Sequence, residues 1–150
     1  MENISVPITL LNNYTGETPP FYATEESAGI DLIAAINTDI ILKPFERCLV
    51  SNGFKMALPK GFEAQIRPRS GLALNYGITV LNSPGTVDSD YRGEIKTLLI
   101  NLGQEEFTIS PGMRISQMVI SSVVKTQLNI VTNLQTTTRG EGGFGSTGVK

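Results

Sequence analysis

Phe62-Glu63-Ala64-Gln65-Ile66-Arg67 alternates apolar and polar side chains without a break and is closed by Pro68. A side-chain period of two belongs to a half-buried strand, with Phe62, Ala64 and Ile66 on a core and the polar residues on the wet face. Proline ends such a run because it cannot donate to a strand ladder. On either side, turn residues recur at short intervals: Pro44, Gly53 and Pro59-Lys60-Gly61 before it, then Gly77, Pro84-Gly85, Gly93, Gly103 and Pro111-Gly112. The segments between them are rich in Ile, Val and Thr, which favour strands. Further strands are predicted near 6–11, 30–34, 40–42, 48–50, 78–81, 94–101 and 114–124. Short strands at this spacing indicate an all-β sandwich or barrel. The single helix expected is a turn or two at 70–76, with Ser70 as its cap and Gly77 as its end.

The chain has 150 residues, enough for one domain with its own core. Residues 1–131 are expected to form that body, and 132–150, polar and Thr-rich before turning glycine-rich, a flexible arm. A net charge of -2 and a pI near 5.1 argue against a nucleic-acid partner bound by phosphate neutralisation. A single cysteine, Cys48, excludes an intrachain disulfide and a multi-cysteine zinc cluster. No basic-then-apolar leader opens the sequence and no run reaches membrane-spanning length, so a cytoplasmic protein with no membrane partner is expected. There is no histidine, which rules out Ser-His-Asp and Cys-His schemes and histidine-bound metals. An enzyme of this composition needs a carboxylate, Lys, Tyr or Cys as its proton acceptor.

Three segments could carry chemistry. Pro68-Arg69-Ser70-Gly71-Leu72-Ala73 leads from the strand into the helix, where unpaired N–H groups and a hydroxyl suit an anion. An ordinary serine cap explains the same residues. Asn82-Ser83-Pro84-Gly85-Thr86-Val87-Asp88-Ser89-Asp90-Tyr91-Arg92-Gly93 sets two carboxylates, a ring and an arginine between strands. Turn chemistry accounts for Asn, Pro and Gly, but not for Asp-x-Asp followed by Tyr and Arg. One acid of such a pair can stay ionised as a base while the other pairs with a cation. Near the end, Arg139-Gly140-Glu141-Gly142-Gly143-Phe144-Gly145-Ser146-Thr147-Gly148 offers a cation, a stacking ring and two hydroxyls on a backbone open to phosphate. It also reads as a loose end of the chain.

In order along the chain, Ala28-Gly29-Ile30-Asp31-Leu32, the Pro68 segment, Gly85 to Gly93, Gly112-Met113-Arg114-Ile115-Ser116-Gln117 and the tail resemble the five motifs of the trimeric deoxyuridine triphosphatases (dUTPases). The resemblance implies a distorted jelly-roll β-barrel with a short helix and a flexible glycine-rich C-terminal arm, assembled as a homotrimer with shared active sites. It implies hydrolysis of dUTP to dUMP and pyrophosphate with Mg2+, which limits uracil in DNA and supplies dUMP for thymidylate synthesis. Asp88 would activate the attacking water. Asn82 and its hairpin would read uracil, and Tyr91 would pack under the deoxyribose and exclude a 2′-hydroxyl. Ser70, Gly71 and Gln117 would hold phosphates with Arg69 in support, and Asp31 would reach magnesium through water. From the arm, Arg139, Gly145, Ser146 and Thr147 would meet the phosphates and Phe144 would stack on the base.

Met113 stands where the family usually has an acid, and Ser116 where alanine is common. Two rival classes are a dCTP deaminase of the same fold and a catalytically silent nucleotide- or protein-binding relative. The deaminases match the third motif less well and lack the Gly-Phe-Gly tail. A silent protein has no need of Asp88, Tyr91 and an intact arm together.

Overall fold

The computed structural model describes residues 3–144. Its strands are β1 (Ile8–Leu10), β2 (Ile30–Ile33), β3 (Ile40–Leu42), β4 (Arg47–Ser51), β5 (Phe54–Met56) and β6 (Phe62–Arg67). The one helix, α1 (Ser70–Tyr76), follows, then β7 (Ile78–Val80), β8 (Gly85–Val87), β9 (Lys96–Asn101), β10 (Phe107–Ile109) and β11 (Arg114–Ser122). All pairings are antiparallel. β2-β11-β6-β8 form a four-stranded sheet, β4-β9-β7 a three-stranded one, and β1-β5 and β3-β10 make two short pairs. Strands distant in sequence thus lie side by side, which makes an all-β, distorted jelly-roll barrel.

Two inner faces fill the barrel. β6 buries Ala64 and Ile66 as its alternation requires, β11 buries Ile115 and Met118, and Leu99 of β9 and Val50 of β4 meet them from the other sheet. Each fully buried Val, Leu or Ile contributes about 1.5–3 kcal/mol. On the outer face of β6, Arg67 Nη2 donates to Gln65 Oε1 at 2.6 Å and Gln65 Nε2 to Glu63 Oε1 at 2.7 Å. The alternation therefore continues as a hydrogen-bonded polar row.

α1 spans the expected residues, and Gly77 ends it in the left-handed region at φ 69°. The cap differs from expectation. Arg69, in extended backbone, is the N-cap residue, and Ser70 is the first helical residue with no side-chain cap hydrogen bond. A capping hydroxyl must come from a residue still outside the helix, and here that residue points its guanidinium at Asp31 instead.

β11 carries a bulge that matters for the site. Arg114 lies opposite Ile33 and Ser116 opposite Leu32, so the register slips at Ile115. Ile115 and Ser116 are consecutive and both buried. In a regular strand, side chains three apart face opposite ways; the extra residue brings Arg114 and Gln117 to the same face.

Behind the bulge lies a polar cluster. Asn52, Thr97 and Ser116 are each 0% exposed. Thr97 donates to Asn52 Oδ1 at 3.0 Å and is 2.7 Å from the Ser116 hydroxyl, while Asn52 donates to the Ile33 carbonyl at 2.8 Å. Since Thr97 uses its only hydroxyl proton on Asn52, Ser116 is the donor of the pair, and the cluster links the two sheets. Ser116→Ala removes that donor and strands no buried proton. It is expected to cost about 1 kcal/mol, seen as a lower urea midpoint at unchanged slope.

The chain leaves the body at Val123, whose N–H donates to the Gly61 carbonyl at 2.8 Å. From Val124 to Glu141 every residue is exposed and no strand or helix forms. The exposed stretch thus starts ahead of residue 132, because Val124, Leu128, Ile130 and Val131 are apolar in composition without being buried.

Candidate active site

The outer face of the four-stranded sheet gathers the first, second and fourth sequence segments. Across three strands, Asp31, Gln117 and Arg67 lie in one row. Asp31 Oδ1 is 3.0 Å from Arg69 Nε and its Oδ2 is 3.1 Å from Arg114 Nη1. Arg69 Nη1 also donates to the Arg114 carbonyl at 3.1 Å. One carboxylate between two guanidiniums leaves a net positive patch. Because all three side chains are partly exposed, the ion pairs add little stability, and their effect is to fix the two arginines in place.

Gln117 Nε2 donates to the Pro68 carbonyl at 2.9 Å, tying β11 to the turn that leads into α1. Gly29 lies against the Gln117 carboxamide so closely that a Cβ there would run into its oxygen. The glycine of Ala-Gly-Ile-Asp is therefore explained by close approach. Beyond it, Ser70 and Gly71 are exposed at the start of α1, and outside the adjoining residues and the helix backbone nothing lies within 4 Å of where a Gly71 Cβ would stand.

The third segment forms β8 and a braced loop. Asn82 lies beside Gly85, its Nδ2 3.2 Å from where a Gly85 Cβ would be. Tyr91 N–H donates to the Asp88 carbonyl at 3.1 Å, and the Tyr91 hydroxyl donates to the Glu94 carbonyl at 3.1 Å. Arg92 Nη1 closes the loop on the carbonyls of Ser89 and Tyr91, at 2.7 and 2.8 Å. The loop's shape thus rests on backbone acceptors, and the Asp88 side chain stands exposed on it. Asp88 and Tyr91 share a cleft of about 260 Å3 with Thr86, Leu49 and Lys96.

Gln117 opens on a different cleft, of about 430 Å3, bounded by Arg67, Pro68, Ser83 and Pro84. The two clefts have no residue in common. The third segment reaches the Gln117 cleft through Ser83 and Pro84, while its Asp88 and Tyr91 line the other.

On the arm, Arg139 Nε donates to the Gly142 carbonyl at 2.8 Å and Gly140 N–H to Thr137 Oγ1 at 3.2 Å, a small local turn. Arg139 and Phe144 are exposed. Gly145, Ser146 and Thr147 lie outside the described residues.

Other proton acceptors compete poorly. Burial pushes the Cys48 thiol and the Tyr14 hydroxyl above their ordinary values, so both are neutral at physiological pH. Among the described residues no cluster of three His, Cys, Asp or Glu could cage a metal ion, and no helix is long and apolar enough to cross a membrane. Sequence reasoning gave no role to Arg114 or Glu94. The bulge brings the first into the site, and no sequence signal announces the bulge.

A family model described as dUTPase matches residues 17–148. Over 142 residues the chain is 59% identical to the deoxyuridine 5'-triphosphate nucleotidohydrolase of Rickettsia canadensis (strain McKiel), covering 95% of each. Among solved structures, a mutant dUTPase of Staphylococcus bacteriophage 80alpha with dUpNHpp superposes with a TM-score of 0.86 at 22% identity, covering 98% of this chain and 100% of that one. A mutant dUTPase from phage phi11 of S. aureus, described for its coordination of a structural Mg(II) ion, reaches 0.77 at 18% identity over 87% of this chain and 98% of its own. At these identities the two phage enzymes speak for the fold alone.

Proposed function

The chain belongs to the dUTPase family and hydrolyses dUTP, and from that premise we propose how its residues divide the work. Asp88 accepts a proton from the water that attacks the α-phosphorus. The new P–O bond forms as the bond to the bridging oxygen breaks, and dUMP and pyrophosphate leave. The observation that carries this reading is the exposed Asp88 carboxylate on a braced loop, beside Tyr91 and over a cleft. A carboxylate is a weak base near neutral pH, so orientation and electrostatics supply most of the rate.

Asn82 and the hairpin backbone read uracil, and Tyr91 lies under the deoxyribose. Ser70, Gly71 and Gln117 take the phosphates, with Arg69 held ready by Asp31. From the arm, Arg139, Ser146 and Thr147 meet phosphate oxygens, Gly145 lets the backbone approach, and Phe144 covers the base. Closing the arm excludes water other than the attacking one.

Magnesium fits the donor set in one manner. A single carboxylate, Asp31, makes no cage, but Mg2+ commonly keeps several waters and takes its direct protein or phosphate ligands sparingly. Asp31 has lone pairs beyond the two used by Arg69 and Arg114 to accept from such a water. When bound, the ion would neutralise charge on the triphosphate.

The working unit in this proposal is a homotrimer in the cytoplasm, with a body at 1–131 and an arm at 132–150. The exposed Leu128, Ile130 and Leu134, along the stretch that leaves the body and in the arm, support association with other chains. The test is pyrophosphate release from dUTP, dTTP, dCTP and UTP side by side, with and without Mg2+. Release from dUTP alone, strongly lowered by chelation, is expected. Ammonia from dCTP would instead assign a deaminase.

A further inference from the structure

Glu94 follows the third segment and lines the Asp88–Tyr91 cleft, with no role assigned to it above. Its side chain is only 18% exposed. One oxygen, Oε1, accepts from Asn13 Nδ2 at 2.9 Å and from the Gly53 N–H at 3.2 Å, while Oε2 lies 3.9 Å from Lys96 Nζ. Asn13 is further held on the Ala35 carbonyl at 3.3 Å. This carboxylate therefore joins the N-terminal segment and the turn between β4 and β5 to the segment entering β9. The next residue is pinned as well: Ile95 N–H donates to the Phe54 carbonyl at 2.8 Å, and Asn52 N–H donates to the Ile95 carbonyl at 3.0 Å.

The Glu94 carbonyl is the acceptor for the Tyr91 hydroxyl. Gly93, between them, has no room for a Cβ, which would strike the Tyr91 phenol. The ring thus lies with its phenol end against Gly93 and is anchored at its tip to a residue that is itself tied at three places. We propose that Glu94 is a positioning residue for sugar selectivity, holding the Tyr91 ring so that it cannot yield to a ribose 2′-hydroxyl. This rests on the reading of Tyr91 as the surface under the deoxyribose. A pocket that can adapt rejects an added hydroxyl poorly. Exclusion therefore depends on a wall that stays where it is, and the carboxylate is what stiffens the wall.

The test compares kcat/KM for dUTP and UTP in Glu94→Ala, Glu94→Gln, Tyr91→Phe, Tyr91→Ala and the Glu94→Ala/Tyr91→Phe pair. Glu94→Ala is expected to lower the dUTP-to-UTP ratio by about tenfold, the worth of one good hydrogen bond. Glu94→Gln keeps the accepting oxygen and should restore the ratio. If Glu94 acts through the tyrosine, the double variant should fall no further than Tyr91→Phe alone. Asn13→Ala removes one donor and leaves the carboxylate, so it should shift the ratio the same way by less, and it serves if Glu94→Ala does not fold. An unchanged ratio in Glu94→Ala or Asn13→Ala, with a lowered one in Tyr91→Phe, would leave Glu94 a merely structural residue. An unchanged ratio in Tyr91→Ala would overturn the tyrosine's role, and the role of Glu94 with it.

Discussion

Asp88→Asn is expected to bind dUTP within a few-fold of the wild-type affinity and to lose about 10²- to 10⁴-fold in kcat, the usual contribution of a placed general base. The amide preserves shape and polarity but cannot take the proton, and a chain without histidine has no neutral-pH substitute at hand. The substitution also leaves the loop intact. Its frame is the Tyr91 N–H on the Asp88 carbonyl, the Tyr91 hydroxyl on the Glu94 carbonyl and the Arg92 clasp, none of which involves the Asp88 side chain. The thermal midpoint should therefore stay unchanged, so a fall in rate reports chemistry and not unfolding. Asp90→Asn alters an exposed acid two residues away and is the control for charge alone. Steady-state rates beside calorimetric binding of a non-hydrolysable dUTP analogue decide the matter. A near-normal kcat in Asp88→Asn would remove Asp88 from the reaction.

What the sequence made legible followed from short-range rules. The Phe62–Arg67 strand and the Ser70–Tyr76 helix appear at their expected limits, because a period of two and a terminal glycine are local signals. β5, β8 and β10 were missed. Each has three residues and takes its ladder from a strand remote in sequence. The cap at Arg69 was misassigned because the competitor for its side chain, Asp31, is remote in sequence. The same holds for the site. The motifs announced which residue types were present, but the union of Arg114 with Gln117 needs a bulge, and the role argued for Glu94 needs Asn13 and Gly53 brought to one oxygen. Ser116 stands where alanine is common in the family. It proves to be a satisfied donor to Thr97.

Removing residues 139–150 should leave the body folded and cut kcat/KM for dUTP by about 100-fold or more, since an arginine and two hydroxyls on phosphate are charge-assisted contacts at roughly 1.5–3 kcal/mol for each charged pair. The body is expected to survive because Arg139, Gly140 and Glu141 are exposed and their hydrogen bonds stay within the arm. A sharper result comes from mixing. Asp88→Asn chains have arms and no base; truncated chains have the base and no arm. If the base and the arm of one site come from different chains, a random equal mixture gives each site about one chance in four of having both, so about a quarter of wild-type activity should return from two nearly inactive parents. If both came from one chain, no mixture could restore any. Demonstrably mixed oligomers without recovered activity would reject site sharing while leaving the roles of Asp88 and of the arm to stand on the single variants.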